Sequence, residues 1–287
     1  MKLRNAIKQS CDTYFYETAR LLGVDKLSII SKKYGLGSKI LGDVYLDEKQ
    51  GLVPNTIWKK KALETSWYLG ETVINGIGQG YIQTTPLQLC LMTAQLANGG
   101  YKIKPHIIYD ETVRYEEIRK KIKKDIENYK LELNQNKNLV YEKKDILQEK
   151  KFKPYKRMYK NQENIEFVLE AMYASSNELY GTSFKSRYED PKYQFAGKTG
   201  TSQIRRITEA ERKLALKQSQ IEYKKRDHAL YIAFAPYKDP RYSISVHVEH
   251  GGSGSETAAP IARKIIKKVI DRHKLREKSK IGKIKLA

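Results

Sequence analysis

The sequence is poor in cysteine and has no long hydrophobic run. Its 287 residues include only two cysteines, Cys11 and Cys90, and neither belongs to a Cys-x-x-Cys pair. This number is too small for a disulfide framework, and we expect both thiols to pack as small apolar side chains. No apolar stretch has the length of a signal peptide or a membrane span, so we expect the chain to carry no export signal or anchor of its own.

Acidic residues are also scarce relative to basic ones. Lys and Arg number 55 against 33 Asp and Glu, which gives a formal net charge of +22. Such an excess is compatible with an anionic partner such as nucleic acid, anionic lipid or an acidic polymer. It is equally compatible with a solvated surface, because much of it lies in residues 111–160 and in the tail after Asp271. The 21 tyrosines are spread over the whole chain rather than grouped, so we expect no nucleic-acid partner.

Signals for a metal or a cofactor are weak. The chain has 5 histidines, and alternation along a predicted strand places His247 and His250 on opposite faces, with no third ligand beside them. The stretch "GIGQG" lacks the G-x-G-x-x-G spacing of a dinucleotide site. We therefore expect neither a metal nor a cofactor.

Helical signals are found along most of the chain. Residues 14–22 are predicted to form a helix, with Ser10, Cys11 and Asp12 in the turn before it. A second helix is predicted from a cap at Asp25. Thr85 is the predicted cap of a third helix, which has Pro at its first position and ends at a Gly-Gly pair. A further helix is predicted from residue 164, and residues 111–160 read as a solvated helical hairpin or a mobile insertion.

Three strand-like runs follow: "YQFAGKTGTSQI", "HALYIAFAPY" and "RYSISVHVEH". The turn signal "YKDPR" between the last two predicts an antiparallel hairpin. The charged stretch "RRITEAERKLALKQSQIEYKKRD" is predicted to be a protruding, helix-prone connection. A Gly-rich loop and an amphipathic helix with Pro260 near its start complete the chain. Helices followed by a meander and a closing helix indicate an α+β fold with an antiparallel sheet.

The first strand carries the residues with the clearest chemical potential. In "GKTGTS", alternation places Lys198 and Gly200 on one face and Thr199 and Thr201 on the other, so a site using both must lie along the strand edge. Lys198 would supply positive charge, the two Thr hydroxyls would bind a carboxylate, and Gly200 would let a substrate backbone approach. The backbone N–H of Thr201 is also a candidate oxyanion donor. The alternative is an ordinary edge strand protected by a lysine.

A second element near the start of the chain favours a catalytic role. In "SCDTYFY", Ser10 and Asp12 form Ser-x-Asp, a variant of the Ser-x-Asn element that accompanies Lys-Thr-Gly in penicillin-recognising serine enzymes. The chain resembles the transpeptidase domain of class B penicillin-binding proteins, of the elongation type called penicillin-binding protein 2. The matching stretches occur in the family's order: "SCDTYFYETARLLGVDKLS", "IGQGYIQTTPLQL", "LANGG", "AGKTGTSQ", "DHALYIAFAPY" and "VEHGGSGSETAAPIA".

The resemblance implies the fold of penicillin-binding proteins and serine β-lactamases, and acyl transfer on peptidoglycan stem peptides that end in D-alanyl-D-alanine. Ser10 would belong to the proton relay and Asp12 would take the place of the usual Asn. Lys198, Thr199, Gly200 and Thr201 would bind and polarise the substrate. The family acts at the periplasmic face of the bacterial inner membrane with the elongation machinery, and β-lactams trap its serine nucleophile.

One family element is absent from the sequence. The nucleophile belongs to Ser-x-x-Lys, and no Ser in these residues has a Lys three positions later. The nearest pattern, "TSFK" from Thr182 to Lys185, reads as a loop. We expect residues 1–287 to be a partial transpeptidase domain whose nucleophile, first helix, first two strands, pedestal and anchor lie outside the chain.

This expectation has three consequences. The strand at 242–249 should be an unpaired apolar edge, so the fragment should be poorly stable or prone to aggregate. It should be inactive and unable to bind β-lactams covalently unless an N-terminal fragment of the same enzyme is supplied. The alternative is a non-catalytic remnant or binding module from a split or truncated reading frame.

Overall fold

A computed structural model describes residues 1–42, 45–105, 107, 120, 122–128, 131, 156–204 and 220–284, with side chains described as far as residue 275. The predicted insertion at 111–160 falls largely outside these residues, although 122–128 are helical. Most of the predicted protruding connection, residues 205–219, also lies outside them.

Three helices form the N-terminal part: α1 (Leu3–Gln9), α2 (Asp12–Leu22) and α3 (Val24–Lys33). The predicted first helix is therefore present as α2, but Asp12 is its first residue and does not lie in the turn before it. The prediction that Asp25 caps the next helix is wrong, because α3 begins one residue earlier behind Gly23. Instead, the Asp25 carboxylate accepts hydrogen bonds from the backbone N–H and the hydroxyl of Thr56.

Three more helices follow: α4 (Thr56–Leu63), α5 (Leu69–Asn75) and α6 (Pro86–Ala97). The predicted start of α6 is confirmed: the Thr85 hydroxyl accepts from the backbone N–H of Gln88, whose side chain accepts from the N–H of Thr85 in return. The Gln88 side chain also donates to the carbonyls of Ser38 and Gln50, both at 2.8 Å. The first turn of α6 therefore anchors the Gly-rich loop between α3 and α4. The sequence of this loop shows neither helical nor strand periodicity.

The sheet consists of β1 (Ala196–Ser202), β2 (His228–Ala235) and β3 (Tyr242–Val248), in the order β1-β2-β3 and antiparallel throughout. The predicted hairpin is thus confirmed. Helix α7 (Gln162–Asn177) precedes β1, and a π-helical turn (Gly254–Ala258) leads from β3 into α8 (Ala259–Ile284). The α+β class predicted from the sequence is confirmed.

Apolar side chains cover both faces of this sheet. On one face, Phe195 and Tyr231 pack among buried residues of α8 that include Ala262 and Ile266. On the other face, Phe234 packs against Met172 of α7. Because both faces are covered by helices, the sheet residues left open to a ligand lie at its edges.

The two edges differ. Within the part of the chain that the structure describes, β3 pairs only with β2, so its outer edge has no strand partner. Its side chains are mostly half-buried rather than exposed, because α6 and α8 contact the strand from its two faces. Strand β1 forms the opposite edge and carries the predicted site. Among the described residues, no helix has the length and apolar character needed to cross a membrane.

Candidate active site

Ser10 lies in the tight turn between α1 and α2. It ends α1 in the left-handed region, with φ 56° and ψ 55°, which is uncommon for a residue other than glycine. The backbone N–H of Cys11 donates to the carbonyl of Ala6 at 2.9 Å, which closes the last turn of α1. This conformation leaves the Ser10 hydroxyl exposed at the helix junction, so its location depends on where α1 lies.

An ion cluster anchors α1 to the end of α7. Arg4 donates to both carboxylate oxygens of Glu178, and Lys8 donates to one of them at 3.0 Å. Arg4 also contacts Glu170 at 3.0 Å. The hydrogen bonds from Arg4, opposed by burial, lower the pKa of Glu178 to about 2. The helix that ends at Ser10 is therefore tied to α7 by charge-assisted hydrogen bonds.

Lys198 connects β1 to this turn. Its ammonium donates to Ser10 Oγ at 2.7 Å and to its neighbour's backbone carbonyl, Thr199 O, at 3.0 Å. Burial lowers the pKa of Lys198 to about 8, against a smaller opposing effect of Asp12. At neutral pH a measurable fraction of the amine is therefore uncharged and able to accept a proton. The two predicted catalytic elements, 188 residues apart in sequence, meet here.

The backbone of β1 is held closely by its neighbours. A side chain at Gly197 would collide with the hydroxyl of Tyr231, and one at Gly254 would lie 2.5 Å from Leu230 O and 2.6 Å from Gly200 O. The π-helical turn that contains Gly254 therefore packs directly against the backbone of β1 and β2. Only glycine, which has no side chain, permits these two close contacts. They hold the backbone of β1 in place on the side away from the strand edge.

The other predicted site residues lie along the same strand. Thr199, Gly200 and Thr201 are opposite Tyr231, Leu230 and Ala229 in β2. Thr201 is exposed, whereas Thr199 and Gly200 are half-buried. The Thr199 hydroxyl is already hydrogen-bonded, because it donates to Thr182 Oγ1 at 3.1 Å.

Sequence reasoning missed Thr182 as a residue of this site. The interpretation of "TSFK" as a loop holds, since Thr182 precedes a short 3-10 turn, Phe184–Ser186. Within that loop, however, the Thr182 hydroxyl lies 3.0 Å from Ser175 Oγ as well as contacting Thr199. A hydroxyl in a loop has no sequence signature for such a role.

A second group of hydroxyls is buried under β1. Tyr231 is fully buried, and its hydroxyl lies 2.9 Å from Ser176 Oγ and 3.0 Å from Ser183 Oγ. Burial raises the pKa of Tyr231 to about 12. This group joins β2, α7 and the loop after α7, and so supports the strand that carries Lys198.

The two cysteines are free and half-buried. Cys11 Sγ lies 3.3 Å from Thr13 Oγ1, and Cys90 Sγ lies 3.2 Å from Ser243 Oγ. Hydrogen bonding, chiefly to Thr13, lowers the pKa of Cys11. The expectation of purely apolar packing is therefore incomplete, because each thiol also contacts a hydroxyl.

The histidine prediction needs a correction. Strand β3 ends at Val248, and His250 lies in the following turn with φ 54°, so His247 and His250 are not on opposite faces of one strand. Both rings lie beside His228, at centroid distances of 5.1 and 5.0 Å. No group of three His, Cys, Asp or Glu residues in the described ranges has the geometry to hold a metal ion.

Comparison with known proteins finds related sequences. Residues 1–267 match the family model "Penicillin binding protein transpeptidase domain". The Peptidoglycan D,D-transpeptidase MrdA of Salmonella typhimurium is 32% identical over 278 residues, which are 94% of this chain and 38% of that protein. The MrdA protein of Haemophilus influenzae is 33% identical over 264 residues, 92% of this chain and 35% of that protein. The chain thus spans less than two fifths of these relatives.

Solved structures show the same relationship. The chain is similar to Pseudomonas aeruginosa PBP2 in complex with WCK 5153, with a TM-score of 0.67 and 32% identity, covering 93% of this chain and 48% of that one. It is also similar to PBP2 of Helicobacter pylori in a complex with MreC, with a TM-score of 0.67 and 27% identity, covering 94% and 40%. The predicted resemblance and its fold are confirmed: the chain belongs to the penicillin-binding protein transpeptidase domain family.

Proposed function

We propose that the chain provides the substrate-binding edge and the proton relay of a peptidoglycan D,D-transpeptidase that acts during cell elongation. The observation that carries the proposal is the 2.7 Å contact between Lys198 Nζ and Ser10 Oγ. It joins two of the three motifs that the resemblance implies for acyl transfer; the third is Ser-x-x-Lys. The similarity to MrdA proteins named Peptidoglycan D,D-transpeptidase supports the substrate class.

The proposed reaction has two steps. A serine hydroxyl attacks the carbonyl between the two D-alanines of a stem peptide, an ester forms, and D-alanine leaves with a proton on its amine. An amine of a neighbouring peptide then attacks the ester and restores the serine hydroxyl. Ser10 and Lys198 would pass the proton to the leaving amine, because the lowered pKa of Lys198, about 8, allows the amine to lose and regain a proton near neutrality.

The remaining predicted residues line the substrate edge. Thr201 would donate to the terminal carboxylate, and Thr199 would do so once its hydrogen turns from Thr182 Oγ1 to the substrate. Gly200, which has no side chain, would leave room for the peptide backbone. Asp12, at the first position of α2, adds a negative charge near Lys198. We propose that it helps to keep the lysine protonated in the resting state.

The attacking serine must come from elsewhere in this scheme. No Ser-x-x-Lys occurs in the 287 residues, so we propose that residues 1–287 form part of a transpeptidase domain, with 111–160 as an insertion, and that this chain alone is inactive. The outer edge of β3 is the proposed attachment site for an upstream segment. Without that segment, the unpaired edge of β3 would make the chain poorly stable or prone to aggregate.

Partners and location follow from the same proposal. The substrate would be a stem peptide ending in D-alanyl-D-alanine, and β-lactams would bind covalently only when the upstream segment is present. The H. pylori PBP2 structure contains MreC, which supports a partner from the elongation machinery. The place of action would be the periplasmic face of the bacterial inner membrane, with no cofactor and no nucleic acid involved.

Labelling with a fluorescent penicillin tests the proposal. The 287-residue chain alone should give no covalent band, whereas a mixture with a segment containing Ser-x-x-Lys, encoded immediately upstream, should be labelled. Labelling in the mixture should be lost with Lys198→Ala and retained with Lys264→Ala, an exposed lysine of α8. Covalent labelling of the chain alone, or undiminished labelling with Lys198→Ala, would contradict the proposal.

The absence of Ser-x-x-Lys also favours a second candidate function. A non-catalytic remnant or binding module would keep the strand edge without any acyl transfer. It predicts that no upstream reading frame encodes the missing motif, and that no mixture is labelled. Sequencing the DNA immediately upstream separates the two candidates.

A further inference from the structure

The loop after α7 passes behind the active-site strand and is held there tightly. A side chain at Gly181 would collide with the carbonyl oxygen of Ser175 and lie 2.6 Å from that of Ala174. The next residue but one, Ser183, donates its backbone N–H to Ser175 O at 3.0 Å. Thr182 is therefore fixed between two residues that are anchored to the last turn of α7.

Thr182 contacts three elements from this fixed place. Its hydroxyl accepts a hydrogen bond from Thr199 of β1 at 3.1 Å and lies 3.0 Å from Ser175 Oγ of α7. Its backbone N–H donates to the carbonyl of Lys8 in α1 at 3.3 Å. The loop therefore joins the strand that carries Lys198 to the helix that ends at Ser10.

The donors and acceptors among the three hydroxyls show why the Thr182 hydroxyl matters. The Thr199 hydroxyl donates to Thr182 Oγ1, so the hydrogen of Thr182 is available for Ser175. The three hydroxyls form a chain in which each has a partner, and such chains strengthen their members. Removal of the middle hydroxyl would leave Thr199 without its acceptor, although the backbone bond from residue 182 to Lys8 would remain.

We propose that Thr182 is a positioning residue of the active site, and that its hydroxyl holds Thr199, in the middle of β1, in register with the Ser10 turn. It acts through Thr199 and does not itself touch the reacting atoms. The proposal rests on the proposed function, in which Lys198, Ser10 and Thr199 form the substrate edge. Loss of the hydroxyl should loosen β1 at Thr199 and admit water to the amine of the neighbouring Lys198, which is now largely shielded from water.

The ionisation of Lys198 gives a test that needs neither the peptide substrate nor the missing attacking serine. The rate at which an N-hydroxysuccinimide ester acylates Lys198 is measured against pH by mass spectrometry, on the full chain at sub-micromolar concentration, where association through the β3 edge is suppressed. Thr182→Val retains the shape of the side chain without its hydroxyl. It should raise the pKa of Lys198 from about 8 towards the ordinary 10.5.

Two variants separate positioning from stability. Thr182→Ser retains a hydroxyl and should restore the wild-type titration. Thr93→Val is the matched control, because it removes a fully buried hydroxyl whose bond is to Leu89 O within α6. It should lower the thermal stability, followed by circular dichroism, without moving the pKa of Lys198.

The outcomes distinguish this inference from the proposed function. An unchanged titration in folded Thr182→Val, or an equal shift in Thr93→Val, would overturn it. If Thr182→Val fails to fold, Thr182→Ala decides, because it also removes the hydroxyl that accepts from Thr199: an upward shift supports the inference, and no shift overturns it. If penicillin labelling of the mixture fails but Thr182→Val raises the pKa of Lys198 as expected, the transpeptidase proposal is refuted and the positioning role of Thr182 stands.

Discussion

The ion cluster around Glu178 should make a large contribution to stability at neutral pH. Glu178 accepts hydrogen bonds from Arg4 and Lys8 of α1, and its pKa is lowered from 4.5 to about 2. At about 1.4 kcal/mol per unit, a shift of this size corresponds to roughly 3 kcal/mol as an upper bound. The Glu178 and Arg4 side chains are 34% and 31% exposed, so solvent screening reduces the expected contribution to about 1–2 kcal/mol.

The change to make is Glu178→Gln, followed by urea unfolding and circular dichroism at low protein concentration. Because the folded-state pKa lies below the unfolded value, the stabilisation is fully present above pH 4.5 and is lost as the pH falls towards 2. The difference between the wild type and the variant should therefore be greatest at neutral pH and should shrink through this window. Since Glu178 anchors the helix that ends at Ser10, the variant should also weaken penicillin labelling of the complemented mixture.

Glu189→Gln is the matched control. Its ion pair with Arg187 has a length of 3.2 Å, but Glu189 is 86% exposed, so its loss should have no measurable effect on unfolding. Equal effects of the two substitutions would refute the reasoning. A Glu178→Gln difference that persists undiminished near pH 2 would refute it as well, because the carboxylate would then not be its source.

Three further predictions concern the strand edge. Lys198 has a folded-state pKa of about 8, against 10.5 in the unfolded chain. Between these two pH values the unfolded chain binds more protons, so the stability of the wild type relative to Lys198→Met should rise with pH. Urea titration at several pH values measures this difference. Tyr231→Phe should cost about 0.5–1.5 kcal/mol in urea unfolding, because Ser176 and Ser183 lose a shared partner but keep bonds to each other and to backbone carbonyls; no measurable cost would contradict a supporting role of the Tyr231 hydroxyl. Gly254→Ala should cost at least about 2 kcal/mol, because the new methyl group collides with the backbone of β1 and β2. Its control is Gly70→Ala in α5, where nothing lies within 4 Å of the new methyl group; this change should be neutral or stabilising by up to about 1 kcal/mol. Equal shifts of the melting temperature in the two variants would contradict the close packing behind β1.

Local patterns predicted the elements whose formation depends on neighbouring residues. The cap Thr85 and the three strands were correctly predicted because capping geometry and period-two alternation are determined within a few residues. The prediction of Asp25 as a cap failed for a tertiary reason. Its carboxylate has a partner in Thr56, 31 residues away, and α3 starts at Val24 behind Gly23.

The sequence alone determined the α+β class, the order of the elements, and the Ser-x-Asp and Lys-Thr-Gly motifs by which the family is recognised. Only the tertiary structure brought Lys198 to Ser10, gave the Ser10 turn its left-handed conformation, and revealed Thr182 and Glu178 as its supports. The reason is physical. Motifs and periodicities are properties of consecutive residues, whereas hydrogen bonds between residues 17 to 188 positions apart form only after α1, α7 and β1 have packed together.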